Sequence, residues 1–365
     1  MTRHWSNYFL DPDFAGFWSQ RLNHKGATVC LVIGVGFDPR CLTVADLLAQ
    51  SSPSGVDCIA IVLRPPSTQL SENYQKLEDL TQENLRRLRS IGNLRLASEC
   101  EISLRDNEGH LVGGRLSAKL LAEAIGEISR HRDIIVDISG LPRTIFYPII
   151  AYLNAKAIEG VIQNLHVAVT EDSELDRKIR SSEFGAPDFL YPFRPEEEGE
   201  PKLVWMPVLS TSETNRLEKI HNQIDKNCVE ICPVLPFPAR DLRRADEIVM
   251  RMRTILFERM LVSHDNLLLC DEKNPFDIYR KILDVNDYYR NTVSGLEGLG
   301  EVSTVVSPLA SKMLSLGMLL AAIEGRLSVT YAEAGSYRIE GDMTEFNNHI
   351  SSSPVEIWLA GEPYE

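Results

Sequence analysis

The feature that most constrains this chain is a recurring unit: a short, wholly apolar, β-branched run followed by a stretch of helical periodicity. Thr28–Gly34 (TVCLVIG) is β-branched and apolar throughout after its opening threonine. A strand of that kind must be covered on both sides, which places it inside a parallel sheet between layers of helix. Asp57–Leu63 (DCIAIVL), Asn93–Leu104, Asp133–Ile138 (DIIVDI) and Asn164–Thr170 (NLHVAVT) follow as strands. Between them the spacing predicts helices over Pro39–Gln50, Ser71–Ile91, Ser117–His131 and Pro142–Glu159, with Asp106–Gly114 as a turn.

The alternation stops at Glu171–Lys202, which is rich in Pro, Glu and Gly and contains EEEGEP, and then resumes. Strands are expected at Leu203–Leu209, Val229–Leu235, Asn266–Cys270, Val302–Val306 and Leu327–Tyr331, with Val355–Leu359 as a further edge strand of the same half. Helices are expected at Glu213–Asp225, Asp241–Leu261, Pro275–Tyr289 and Ser311–Gly325. The fold class that follows is α/β: two tandem Rossmann-like domains with mostly parallel, doubly wound sheets. The expected division is 1–180, a linker at 181–202, and 203–365.

At 365 residues and 44% hydrophobic content, each half can bury its own core. No apolar run reaches the length of a membrane span, and the N-terminus lacks an apolar signal core, so a cytoplasmic protein is expected. The seven cysteines form no CxxC pair and the eight histidines no HExxH or HxxxH pattern. Reduced thiols and no metal are therefore expected. The net charge of −14 argues against extended duplex binding, although a few arginines in one cleft can still hold a small anion.

Ligands of such sheets bind beyond the carboxyl ends of the strands, so the loops there are the candidates. After the first strand comes Gly34-Val35-Gly36-Phe37-Asp38-Pro39-Arg40. Gly34 and Gly36 allow close backbone approach, and Arg40 offers a planar donor fork. The alternative is a tight turn in which Arg40 pairs with Asp38. IGVGFDPR resembles the first motif of class I methyltransferases. The second strand, however, ends in Arg64 rather than the acid that would hold ribose hydroxyls, so no cofactor is expected. After the fourth strand comes Asp137-Ile138-Ser139-Gly140-Leu141-Pro142-Arg143-Thr144, where a hydroxyl, a glycine, a helix start and a cation converge. The alternative is a capped helix. The corresponding loop of the second half is Ser307-Pro308-Leu309-Ala310-Ser311-Lys312. Ser210-Thr211-Ser212-Glu213, which also reads as a capping box, and Pro238-Ala239-Arg240 follow other strands of that half.

The two fourth-strand loops resemble the CRISPR-associated Rossmann (CARF) family, in which Dx[ST]GGT[KR] leads into an apolar helix. Asp137, Ser139, Gly140 and Arg143 match, while Leu141 and Pro142 depart. Ser311 and Lys312 match the final hydroxyl and cation, with Pro308 in place of threonine. Two fused CARF-like units also describe the SAVED domains of bacterial antiphage systems. The resemblance implies recognition of a cyclic oligonucleotide signal. Ser139, Arg143, Ser311 and Lys312 would touch ligand, and Gly34–Arg40 would form the facing wall. It also implies a separate effector protein or a homo-oligomer as partner.

Three functions fit these residues. One is a sensor of an anionic nucleotide, binding through Gly34, Gly36, Asp38, Arg40, Ser139, Gly140, Arg143, Thr144, Ser311 and Lys312. Another is a nucleotide hydrolase in which Asp38 or Asp137 serves as base, Ser139 as nucleophile or water positioner, and the arginines stabilise charge. The third is a structural subunit of a larger assembly.

Overall fold

The computed structural model describes residues 3–364 except 25, 65–71, 107, 183, 196–200, 212–213, 294–301, 342–345 and 347–351. The acidic run at 196–200 and positions 212–213 of the capping box lie outside the described residues.

The chain begins with a strand and helix not anticipated from the sequence, β1 (Phe9–Asp11) and α1 (Phe14–Leu22). The Asp13 carboxylate caps α1 by accepting the Gly16 N–H at 3.0 Å. The expected series follows: β2 (Val29–Val35), α2 (Thr43–Ser51), β3 (Val56–Leu63), α3 (Glu72–Ser90), β4 (Leu94–Ile102), α4 (Gly113–Ile128), β5 (Asp133–Asp137), α5 (Arg143–Ile158) and β6 (Asn164–Val169). The burial of these strands reflects their place in the sheet. Every residue of β2, β5 and β6 is buried. In β4, at the edge, exposed Arg95, Glu99 and Glu101 alternate with more covered neighbours, the pattern that protects an open edge.

Beyond β6 come α6 (Ser173–Lys178), β7 (Ile179–Ser182) and β8 (Asp188–Phe189). The second series is β9 (Lys202–Val208), α7 (Thr214–Ile224), β10 (Cys228–Ile231), β11 (Val234–Pro236), α8 (Arg244–Arg253), β12 (Leu268–Cys270), α9 (Pro275–Val293), β13 (Val302–Pro308), α10 (Lys312–Gly325) and β14 (Ser328–Tyr331). The single strand expected over Val229–Leu235 is two strands. Pro233, between them, has no N–H to give to a ladder. The chain ends with β15 (Ser336–Ile339) and β16 (Val355–Ala360).

Two mostly parallel sheets result. In the first the order is β1-β16-β6-β5-β2-β3-β4, with β16 antiparallel to both β6 and β1. In the second it is β12-β11-β9-β13-β14-β8, with β10 beside β9 and β8 antiparallel to β14. Counting only the parallel strands, and β10 with β11 as one, both sheets have the order 3-2-1-4-5. Each also adds an antiparallel strand beyond the fifth. In both, strand order reverses between the first strand and the fourth, which is where a doubly wound sheet opens its crevice.

The chain divides into two units, though not at one linker. One unit is Asn7–Glu183 with Ala334–Glu365; the other, inserted into it, is Met1–Ser6 with Phe184–Glu333. This departs from the expected 1–180, 181–202 and 203–365 in two ways. The segment 181–202 supplies β8 to the second sheet. The strand expected at Val355–Leu359 belongs to the first sheet, not the second. The physical reason is in its side chains. Glu356 is fully buried and takes hydrogen bonds from Trp18 Nε1 at 2.7 Å and from the His166 imidazole at 2.6 Å. Trp18, on α1, and His166, on β6, both belong to the first unit. Met1–Ser6 goes the other way: Trp5 is buried against Tyr279 of α9, edge to face at 5.6 Å.

Candidate functional site

The site expected from the sequence lies at the carboxyl edge of the first sheet. The loops after β2 and β5 flank the point where strand order reverses, and they touch. A Cβ on Gly140 would stand 2.5 Å from the Gly34 carbonyl oxygen, and one on Gly34 would stand 2.5 Å from a Leu141 methyl. Leu141 is fully buried. The two glycines therefore let one loop close on the other, with Leu141 filling the base of the crevice. The lack of a Cβ at Gly34 and Gly140 thus serves the contact between the two loops. Gly36 is also buried, and its carbonyl accepts from Asn84 Nδ2 at 2.8 Å.

Asp38 and Arg40 behave as the tight-turn alternative required. The Asp38 carboxylate accepts the Arg40 backbone N–H at 3.0 Å, Nε at 3.1 Å and Nη2 at 2.7 Å. The remaining end of the guanidinium, Nη1, pairs with Asp176 of α6 at 2.9 Å. The Arg40 side chain is only 9% exposed. Burial alone would lower its pKa, but the two carboxylates outweigh that and hold it above the usual arginine value.

Asp137 ends β5 and is buried with Ser139. Its Oδ1 accepts both the Ser139 N–H at 2.9 Å and the Ser139 hydroxyl at 2.5 Å, a local turn closed by the side chain. The same hydroxyl accepts the Thr170 N–H at 2.8 Å. Ser139 thus ties the ends of β5 and β6 together, and both its donor and an acceptor site are engaged inside the protein. The proton thus lies on a carboxylate, as a serine nucleophile requires, but the hydroxyl is buried and one of its lone pairs is taken by the Thr170 N–H. Arg143 is the first residue of α5 and is half-buried, with Thr144 buried behind it.

Ser311 and Lys312 belong to the other unit. Ser311 caps α10, accepting the Leu314 N–H at 3.3 Å, and Lys312 is the first residue of that helix. Arg143 and Lys312 therefore hold the same position in their two units, the first turn of the helix that follows the fourth strand. Ser307, the hydroxyl earlier in that loop, is buried and accepts from Trp205 Nε1 at 2.9 Å.

Two groups of residues were not singled out in the sequence. The first covers the carboxyl edge. Buried Leu80, Leu175 and Phe346 form a small apolar cluster with partly buried Phe37, Ile179 and Ile339. Phe37, from the first loop, also meets Tyr337 at 5.5 Å. α6 and the two-stranded β7–β15 ribbon thus sit on the GVGFDPR loop. The second group is at the opposite, amino-terminal end of the sheet. There His166 is fully buried between Glu356, at 2.6 Å from Nδ1, and Asp133, at 3.3 Å from Nε2. Arg21 adds a 2.6 Å contact to Asp133 and lies 4.2 Å over the Trp358 ring. Burial would lower the His166 pKa, but the two carboxylates outweigh it and the pKa is raised, which favours the charged ring. The readable signal was a histidine and a glutamate inside otherwise apolar strands, NLHVAVT and VEIWLA, each of which needs a partner once buried.

All seven cysteines are free thiols. Burial pushes Cys30 up to about 12, an inert thiol. Among the described residues, no group of three or more His, Cys, Asp or Glu side chains is placed to hold a metal ion, and no helix is long and apolar enough to cross a membrane.

No family model matches the chain, and no curated protein matches it. Among solved structures, it is similar to a crystal structure described as a "Putative Universal Stress Protein from Pseudomonas aeruginosa UCBPP-PA14". The identity is 12% over 84% of this chain and 92% of that chain, with a TM-score of 0.25.

Proposed function

We propose that the protein is a binding module for an anionic nucleotide rather than a hydrolase, and that it acts through a separate partner protein. The observation that carries this reading is the twofold recurrence of one arrangement. Each unit has the strand order 3-2-1-4-5. In each, a cation, Arg143 or Lys312, opens the helix beside the switch in strand order. Helix starts of that kind favour phosphate oxygens, through the positive end of the helix dipole and a side-chain cation together. The resemblance of the two fourth-strand loops to CARF and SAVED sequences favours a cyclic oligonucleotide of the antiphage-signal type. Ser139, engaged on both sides, favours binding over turnover.

Titration calorimetry against mononucleotides and linear and cyclic oligoadenylates tests the reading. Wild type should bind at least one of them without converting it. Arg143→Ala should weaken that binding about tenfold, the loss of one charge-assisted contact. No heat with any phosphorylated ligand, or cleavage of the bound one, would sink the proposal.

A further inference from the structure

The Arg40 guanidinium is shared between two carboxylates of different standing. Asp38 lies two residues away in the same turn, also accepts the Arg40 backbone N–H, and is part of how that turn is built. Asp176 arrives from another element, α6, and its side chain is 55% exposed. One carboxylate is fixed and the other is replaceable. A phosphate-type oxygen makes the same contact with a guanidinium that Asp176 makes at 2.9 Å. Among the described residues, these elements pack on a small cluster of Leu80, Leu175 and Phe346 with Phe37, Ile179 and Ile339, and on the Phe37–Tyr337 ring contact, apart from the main core of the sheet. An element seated on a small satellite cluster opens at lower cost than the core strands.

We propose that Asp176 occupies, on Arg40, the place of an oxyanion ligand of phosphate type, and that α6 with the β7–β15 ribbon is a lid this contact holds shut over the carboxyl edge of the first sheet. The inference rests on the reading of that edge as an anion-binding edge and supplies its regulation. A ligand phosphate displaces the Asp176 carboxylate, Arg40 stays on Asp38, and α6 is released. Both strands of the ribbon adjoin two of the three crossings of the chain between its units, β7 before 183/184 and β15 after 333/334. Release of the lid therefore acts on two of the segments that connect the units in sequence.

Amide hydrogen exchange on Asp176→Asn, without ligand, tests the lid. Exchange in α6, β7 and β15 should rise about fivefold while β2 and β5 keep their protection, as expected on losing one partly exposed ion pair. Unchanged exchange in α6 and the ribbon, or an equal rise in β2 and β5, would overturn it. The second measurement is calorimetry with inorganic pyrophosphate. Asp176→Asn should bind it about fivefold more tightly than wild type, because the internal competitor is gone. Equal affinity would overturn the displacement. Pyrophosphate binding to neither protein would overturn the oxyanion role and, together with a silent nucleotide panel, the proposed function. The exchange result needs no ligand and decides the lid by itself.

Discussion

Single residues at the carboxyl edge have roles that their type alone does not reveal. Gly140 has no need of an unusual backbone angle; it needs the absence of a Cβ, which would stand 2.5 Å from the Gly34 carbonyl and 2.9 Å from Cys41. Neither neighbour is the far end of a flexible side chain, so Gly140→Ala forces the two loops apart. The expected cost is about 2 kcal/mol, within the range for overpacking a closed site. Denaturant titration should show the midpoint falling with little change in slope. A midpoint equal to wild type would mean that the loops separate freely. Arg40 teaches the same lesson from the polar side. Its sequence context offered both an anion-binding fork and an internal ion pair, and in this structure both ends of the fork are engaged by Asp38 and Asp176.

At the scale of elements, the C-terminal strand β16 is fastened by charge as much as by its ladder. His166 on β6 faces Glu356 on β16 and Asp133 on β5, with Arg21 of α1 completing the set. The His166 pKa is raised in the folded protein. Its contribution to stability is therefore fully present below the unfolded value near 6.5 and is lost as pH rises through the folded value. Asp133 is shifted the other way, lowered by His166 and Arg21 against the opposing effect of burial. Its contribution is present above its unfolded value and disappears as pH falls through the folded one. The thermal midpoint should accordingly decline on the alkaline side of neutrality. His166→Gln should flatten that decline and cost about 3 kcal/mol at neutral pH, because two buried carboxylates lose their shared counter-charge. An alkaline limb identical in the variant would assign it to other groups.

At the scale of the molecule, neither unit is a continuous stretch of chain, and the ends are exchanged. Met1–Ser6 belongs with the inserted unit and Ala334–Glu365 with the unit that begins at Asn7. Trp5 is buried on Tyr279, and Arg3 reaches Asp284 at 2.7 Å. Truncating this indole should therefore weaken the distant unit rather than the one beside it in sequence. Trp5→Ala is expected to cost about 3 kcal/mol, as for other buried aromatic truncations. By amide exchange, the loss should be confined to α9, α10 and the second sheet. Faster exchange in β2 and β5 would contradict the division.

The sequence by itself determined the alternation of strand and helix. The run that became β2 is apolar on both faces, and those of β5 and β6 are interrupted only by Asp133, Asp137, Asn164 and His166, a composition that suits strands covered on both sides. It also placed both candidate loops at the carboxyl ends of parallel strands, because the βα alternation with right-handed crossovers runs every such strand the same way. It did not determine which loop positions remain open to a ligand. The filling of the crevice by Leu141, the engagement of Ser139 by Thr170 and the pairing of Arg40 with Asp176 join residues tens to over a hundred positions apart, and no local pattern encodes them. The membership of β16 was likewise decided by tertiary structure. VEIWLA reads as a strand in any sheet, and a single buried glutamate, satisfied by Trp18 and His166, selects the first one. Periodicity is a local property of the chain, whereas the partner of a buried charge is fixed only when the whole chain has folded around it.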